Sequence, residues 1–136
     1  PGESEADFEA TMELVRQVNY ASCFSFKYSR RPGTPGAALH GQVDEAVKTE
    51  RLARLQALLA EQQTAFNQSM IGKRLPVLFE RKGRNPGQIG GRSPYLQAVH
   101  CDGPVELIGQ IATVEVTAAS KNALSARLVP EETRAA

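Results

Sequence analysis

Apolar positions along this chain follow two different periods, and the change comes near residue 70. Before it, the spacing is helical. Phe8, Met12, Val15 and Val18 step by four and three, which makes one apolar face and predicts a helix over about 5–18. Pro1-Gly2 is a turn signal ahead of it, and Ser4 can cap, with Asp7 three residues on. The acids here (Glu3, Glu5, Asp7, Glu9, Glu13) sit in the first turns, where they complement the helix dipole. They read as a solvated face, Glu3 excepted. A second, longer helix is predicted from Val43 to about Ser69. Leu52, Leu55, Leu59, Gln62 and Phe66 form its stripe, and Glu50 and Arg54 are spaced for an ion pair. The stripe lacks the sustained heptads of a coiled coil and reads as a packing face.

Between the two helices the pattern alternates. In SCFSFKY, residues 22–28, Cys23, Phe24, Phe26 and Tyr28 predict a short strand. Residues 29–42 read as a loop without regular backbone, because SRRPGTPGA holds two prolines and two glycines in nine residues. A basic loop of this kind, with Arg30 and Arg31, is a common place for function, although the residues alone favour a plain connector.

After Gly72 the period shortens. KRLPVLFERK, QIGGRS, YLQAVHC, GQIATVEVTAAS and NALSARLV are short β-rich runs separated by turn-formers such as Asn85-Pro86-Gly87 and Asp102-Gly103-Pro104. Five strands in so short a span predict a small antiparallel barrel, with Val77, Phe79, Ile111, Val114 and Val116 as core candidates. The fold class expected is therefore α+β. Residues 1–69 are helical with one strand, 70–130 form the barrel, and 131–136 are a frayed tail. There is no internal repeat.

Composition narrows this picture. With 136 residues, 41% apolar and 23% charged, the chain suits one ordinary domain or two small ones, and no run approaches the ~20 apolar residues of a membrane span. Cys23 and Cys101 are too few for a disulfide scaffold, and with only His40 and His100 beside them a structural zinc site is not expected. They read as reduced thiols of a cytoplasmic protein. Residue 1 is proline and no basic-then-apolar leader follows it, so the chain reads as a piece of something longer without a secretory signal.

The net charge of +1 conceals a local excess. Lys73, Arg74, Arg81, Lys82, Arg84 and Arg92 face only Glu80 between residues 70 and 100. On one half of a small barrel, such a cluster suits the phosphates of a looped or single-stranded nucleic acid, and Tyr95, close to Arg92, could stack on a base. No Ser-His-Asp spacing, H-E-x-x-H or phosphate-binding G-x-x-x-x-G-K is present. His40 reads as a solvated loop residue, and His100 as a residue at the barrel end rather than a base-stacking one.

The blocks PGESEADFEATMELV, FSFKYSRRPGTPGA, VKTERLARLQALLAEQQTAFNQSMIGK and LIGQIATVEVTAASKNALSARL, in this order, resemble the C-terminal part of the MiaB family. These are radical-SAM tRNA methylthiotransferases, and the last block looks like their terminal TRAM domain. The resemblance covers nearly the whole chain. It implies that residues 1–69 are the end of a radical-SAM (β/α) barrel with a connecting helix, and that 70–130 are an OB-like, RNA-binding TRAM barrel.

It also implies two 4Fe–4S clusters and S-adenosyl-L-methionine in the full-length enzyme. The reaction would put a methylthio group on C2 of N6-isopentenyladenosine at tRNA position 37. None of the family's six cluster cysteines is here, since Cys23 and Cys101 do not match them. The chain alone is therefore expected to be inactive, with no catalytic or metal-binding residue of its own. Carried over by motif, Gly2 and Glu3 lie near bound SAM, and Tyr28, Ser29, Arg31, Pro32, Gly33, Thr34 and Pro35 lie at the active-site mouth. Gly91-Arg92 matches a Gly-Arg step of TRAM and makes Arg92 the leading RNA contact. The implied partners are a tRNA anticodon stem-loop and the N-terminal domains of the same enzyme, in a monomer with no membrane contact. Sister families modify threonylcarbamoyl-adenosine in tRNA or an aspartate of a ribosomal protein, and in the latter the barrel would dock a protein. The Arg before Pro-Gly-Thr-Pro favours the tRNA enzyme.

Overall fold

The structure is a computed structural model that describes residues 1–130; the tail expected over 131–136 lies outside them. The chain divides into two compact units, one of residues 1–63 and one beginning at Thr64.

The first unit is helical. Helix α1 spans Glu5–Val18 and starts at the expected box. Ser4 Oγ accepts from Asp7 N at 3.1 Å, and Ser4 N donates back to Asp7 Oδ2 at 2.9 Å. Phe8, Met12 and Val15 are buried, as the stripe predicts. Val18 is exposed, because the helix ends at its residue: Asn19 follows in the left-handed conformation, its N–H donating to Val15 O. Helix α2 is a single turn, Pro35–Ala38. It corrects the expectation of irregular backbone throughout 29–42, since Pro35 stands at the first helical position, where its missing N–H costs nothing. Helix α3, Glu45–Ser69, is the predicted long helix. The expected Glu50–Arg54 pair forms at 3.5 Å.

The strand predicted at 22–28 is not one. The segment joins no ladder, and Phe24 and Phe26 are 88% and 84% exposed. Alternation describes a residue pattern, whereas a strand also needs a neighbour to hydrogen-bond. This segment has none among the described residues.

The second unit is a closed barrel of β1 (Arg74–Lys82), β2 (Gln88–Arg92), β3 (Ala98–Asp102), β4 (Ile111–Ala119) and β5 (Ala123–Leu128). The spatial order is β1-β2-β3-β5-β4, with β4 closing back onto β1. Four pairings are antiparallel, but β3 and β5 run parallel, so the barrel is mixed rather than wholly antiparallel. The chain leaves β3 through a 3-10 turn at Val105–Leu107 and crosses to β4. The β4–β5 hairpin then brings β5 alongside β3 in the same direction. Closure leaves no open sheet edge.

Val77, Phe79, Val114 and Val116 fill the interior with Ile89, Val99, Cys101 and Leu124. Ile111, expected in the core, is 70% exposed. It sits an odd number of residues from Val114 and Val116, and successive strand side chains alternate faces. Gly91 packs where no side chain fits: a Cβ there would lie 2.0 Å from Leu78 O.

Candidate nucleic-acid interface

The six cations expected to act together are divided by the barrel into separate places. Lys73 and Arg74 lie at the start of β1, and Arg74 reaches Glu115 of β4 at 4.0 Å. Arg81, Lys82 and Arg84 lie at its other end. Eight residues of strand at about 3.3 Å each put roughly 26 Å between Arg74 and Lys82. Clustering in sequence is therefore not clustering in space here, because an extended strand spreads its residues as far as a chain can.

The far end of β1 does gather a site. A groove is lined by Arg81, Lys82, Arg84, Asn85, Gln88 and His100, with Gly90 and Ala98 as its small-residue floor. An irregularity in register between Phe79 and Arg81 places Arg81 opposite Gly90, which is in turn opposite His100, itself opposite Ser125. These four positions make one outward row across four strands. Because Gly90 has no side chain, the Arg81 guanidinium lies over it: a Cβ there would stand 3.7 Å from Arg81 Nε. His100 is part of β3, and its Nε2 lies 3.2 Å from Ser125 Oγ. The sequence pattern does not reveal Asn85, Gln88 and His100 as companions of the cations, because only register brings them there.

Arg92 is on the next outward row, paired with Ala98 and Leu78. It is half exposed, stands 3.9 Å from Glu80, and donates through Nη1 to Leu96 O at 3.0 Å. Tyr95 is half exposed, and its ring stands nearly perpendicular to that of Phe66, centroids 5.1 Å apart. The β2–β3 turn carrying Tyr95 is held from within. Ser93 N donates to Gln97 O and Leu96 N to Ser93 O. Gln97 Nε2 donates to Asn67 Oδ1 at 2.7 Å, and Asn67 Nδ2 donates to the carbonyls of Ser120 and Lys121. Asn67 is 1% exposed. The sequence carries no signal for it, because Asn67 stands among other polar residues, Gln63, Thr64 and Gln68, near the end of α3.

The residues carried over by motif to the active-site mouth lie in the first unit. Glu3 and Tyr28 share a cavity of ≈ 230 Å³ with Phe8, Phe26 and Arg51. Tyr28, Ser29, Arg31 and Thr34 line an adjoining groove. Arg31-Pro32-Gly33-Thr34 is a tight turn: Thr34 N and Oγ1 both donate to Arg31 O, and Gly33 takes φ 82°, which glycine adopts without strain. Gly2 N donates to Gly41 O. Arg30 donates to Ala37 O at 2.6 Å and so completes the end of α2.

The acids read as a solvated face are largely paired. Arg51 bonds Glu3 and Glu5, Arg54 bonds Glu5 and Glu9, and both guanidiniums lie over the Phe8 ring. The Arg54 hydrogen bond is the main reason the Glu5 carboxyl sits below its ordinary range. Lys27, then Lys48, hold Glu45 down to about 2. Burial pushes the Cys101 thiol up.

No set of thiolates suits an iron–sulfur cluster here. Cys23 is exposed in the first unit and Cys101 buried in the second, and among the described residues no three His, Cys, Asp or Glu side chains gather to hold a metal. No helix among them is long and apolar enough to cross a membrane.

A closed five-stranded barrel with a cationic outer groove defines the class, and residues 68–129 match the model of the TRAM domain. The whole chain is 65% identical to a tRNA-2-methylthio-N(6)-dimethylallyladenosine synthase of Maricaulis maris (strain MCS10), of which it covers 30%. Proteins of the same description from Jannaschia sp. (strain CCS1) and Sphingopyxis alaskensis match at 57% and 56% identity over 95% and 93% of the chain, each covered over 28% of its length. The chain thus spans under a third of the curated relatives it matches. The matches fit a C-terminal segment of such a synthase that includes its TRAM domain, as the sequence resemblance implies.

Proposed function

We propose that the barrel positions tRNA for a methylthiotransferase that acts on C2 of N6-isopentenyladenosine at position 37. The observation that carries this reading is the groove of Arg81, Lys82, Arg84 and His100 on the outer face of a TRAM barrel. Cations on a rigid sheet attract phosphates, while the polar Asn85 and Gln88 can accept or donate to sugar and base edges. Arg92 and Tyr95 extend this surface along the strands, whereas Lys73 and Arg74, at the other end of β1, fall outside the groove in this reading. The names of the three relatives support the prenylated adenosine over threonylcarbamoyl-adenosine or a ribosomal-protein aspartate.

Residues 1–69 serve in this reading as the closing part of a radical-SAM core. Gly2, Glu3, Tyr28, Ser29, Arg31, Pro32, Gly33 and Thr34 sit at its active-site mouth. The two clusters and S-adenosylmethionine supply the radical and sulfur chemistry. Cys23 and Cys101 do not fit a cluster, so the groups are held by other parts of the enzyme and no step is assigned to a residue of this chain. Glu3 is held through its carboxylate by Arg51 at 3.0 Å. The enzyme works in the cytoplasm as a monomer, consistent with a barrel that leaves no sheet edge for a second copy.

The test is a salt titration of binding between this chain and a prenylated tRNA anticodon stem-loop. Affinity should fall steeply with salt, and the slope should flatten in the double variant Arg81→Ala, Arg84→Ala. Absence of binding at low salt would overturn the reading in favour of a protein partner.

A further inference from the structure

The tip of the β2–β3 turn departs from what local chemistry prefers. Ser93 and Gln97 close a turn whose three loop residues are Pro94, Tyr95 and Leu96. In three-residue hairpin loops the last position takes the left-handed conformation, where glycine is favoured. Here that position is Leu96, with φ 63°. A branched apolar residue is strained in this region, and this one gains no burial in return, being 73% exposed.

The surroundings hold the strain in place. The Arg92 guanidinium donates to the Leu96 carbonyl. Leu96 N is satisfied by Ser93 O, and Ser93 Oγ accepts from Tyr95 N and bonds Gln97. Asn67, through Gln97, anchors the turn to the buried end of α3. The Phe66 ring stands nearly perpendicular to that of Tyr95, which remains 47% exposed. A rigid scaffold therefore presents Leu96 and Tyr95 together to solvent.

Position tells what the pair meets. Arg92 pairs with Ala98, the end of the cationic groove, and Arg81–Gly90–His100 is the next outward row. Two residues of strand, roughly 7 Å, separate the rows. That is about the spacing of successive phosphates in an extended strand, so a backbone following the groove brings its next base to the turn.

We propose that Leu96 and Tyr95 form an apolar seat for one unstacked base of the RNA whose phosphates occupy the groove, with Arg92 as the positioning residue that fixes the seat. This rests on the RNA reading above and adds to it the discrimination of an unpaired loop from a duplex. Aromatic and apolar side chains serve any splayed base, because every base has a π-face.

The experiment compares three variants of the whole chain, Leu96→Gly, Leu96→Asn and Leu96→Met, on an RNA stem-loop and on the same stem as an uninterrupted duplex. Glycine and asparagine both accept positive φ, so neither should lower Tm. Both should weaken stem-loop binding roughly fivefold, with duplex binding and salt slope unchanged. Methionine keeps an apolar tip and should bind as the parent does. Stem-loop affinity unchanged in Leu96→Gly and Leu96→Asn would overturn the seat while leaving the groove reading intact. Equal loss in all three variants would also overturn it, since backbone geometry and not the apolar side chain would then be responsible. A parent chain that binds neither RNA would overturn the groove reading itself.

Discussion

The two units are held together by different forces. The barrel buries a continuous apolar core of Val77, Phe79, Ile89, Val99, Val114, Val116 and Leu124, and its backbone closes on itself. Residues 1–63 bury a short apolar list, Phe8, Met12, Val15 and Leu59, and rely on Arg51 and Arg54 joining α3 to the acids of α1. They leave Phe24 and Phe26 in solvent. A closed sheet satisfies its own edges and needs nothing added. An alternating segment with exposed aromatics and no ladder has the residue pattern of a strand but not its partner. The difference teaches that apolar content alone does not make a self-sufficient unit; hydrogen-bond closure decides it.

The largest effect that would break this comparison lies in the barrel. Gly91→Ala should open the β1–β2 ladder, because its Cβ would overlap Leu78 O and cannot move into a core already filled by Phe79. Phe79→Ala should cost about 3–5 kcal/mol by emptying that core. Chemical denaturation of each variant, followed by hydrogen exchange over residues 74–128, measures both. Ordinary barrel protection in Gly91→Ala would mean that closure is looser than its geometry implies.

Much of this fold is legible in the residues themselves, and the reasons are local. Ser4 and Asp7 announce α1, and the steps of three and four from Leu52 to Phe66 announce α3. The alternation of Val77 with Phe79 and of Val114 with Val116 announces the barrel. What fails depends on partners remote in sequence. Residues 22–28 alternate correctly, yet no neighbouring strand is there. The parallel β3–β5 pairing follows from how the last hairpin closes the barrel, and no residue near either strand encodes it. The same limit applies to the site. Six cations close in sequence resemble one patch, while the groove needs the register of Arg81, Gly90 and His100. The Gly-Arg motif points to Arg92 for phosphate contact, but its bond to Leu96 O is visible only in three dimensions.

A smaller effect is expected where charge holds the first unit. Arg51 is nearly buried and bonds Glu3 Oε1 and O at 3.0 Å and Glu5 at 3.2 Å. Arg51→Ala should destabilise α1 by about 1–2 kcal/mol, the low end for charged hydrogen bonds, because Glu3 and Glu5 remain half in water. Hydrogen exchange should quicken over residues 5–18 and not over 74–128. Equal quickening in both would show that the units are not independent in this respect.

Acid should act on the same unit. Glu45 is held near 2 and Glu5 is lowered, against an ordinary 4.5. A carboxyl with a depressed folded pKa contributes stability that is fully present above the unfolded value and is lost as pH falls through the folded one. The window therefore runs from about 4.5 down to about 2. The carboxyl carbon resonance of Glu45 should titrate near the lower end, and Lys27→Ala should move its midpoint upward. A midpoint unmoved in that variant would detach segment 22–28 from α3.

The smallest expected effect sharpens the comparison within the barrel itself. Lys73 stands at the opposite end of β1 from Arg81 and Arg84, roughly 26 Å by strand length. At physiological salt the screening length is about 8 Å, so a charge that far away contributes little to phosphates in the groove. Removing one cation that neutralises a phosphate should reduce the logarithmic salt slope by about 0.7–0.9. Arg81→Ala and Arg84→Ala should each show that reduction, whereas Lys73→Ala should shift neither slope nor affinity measurably. The result discriminates two footprints. If Lys73→Ala flattens the slope as much as Arg81→Ala does, the RNA crosses the whole length of β1. The cations grouped in sequence would then be joined by the length of the ligand rather than by the fold.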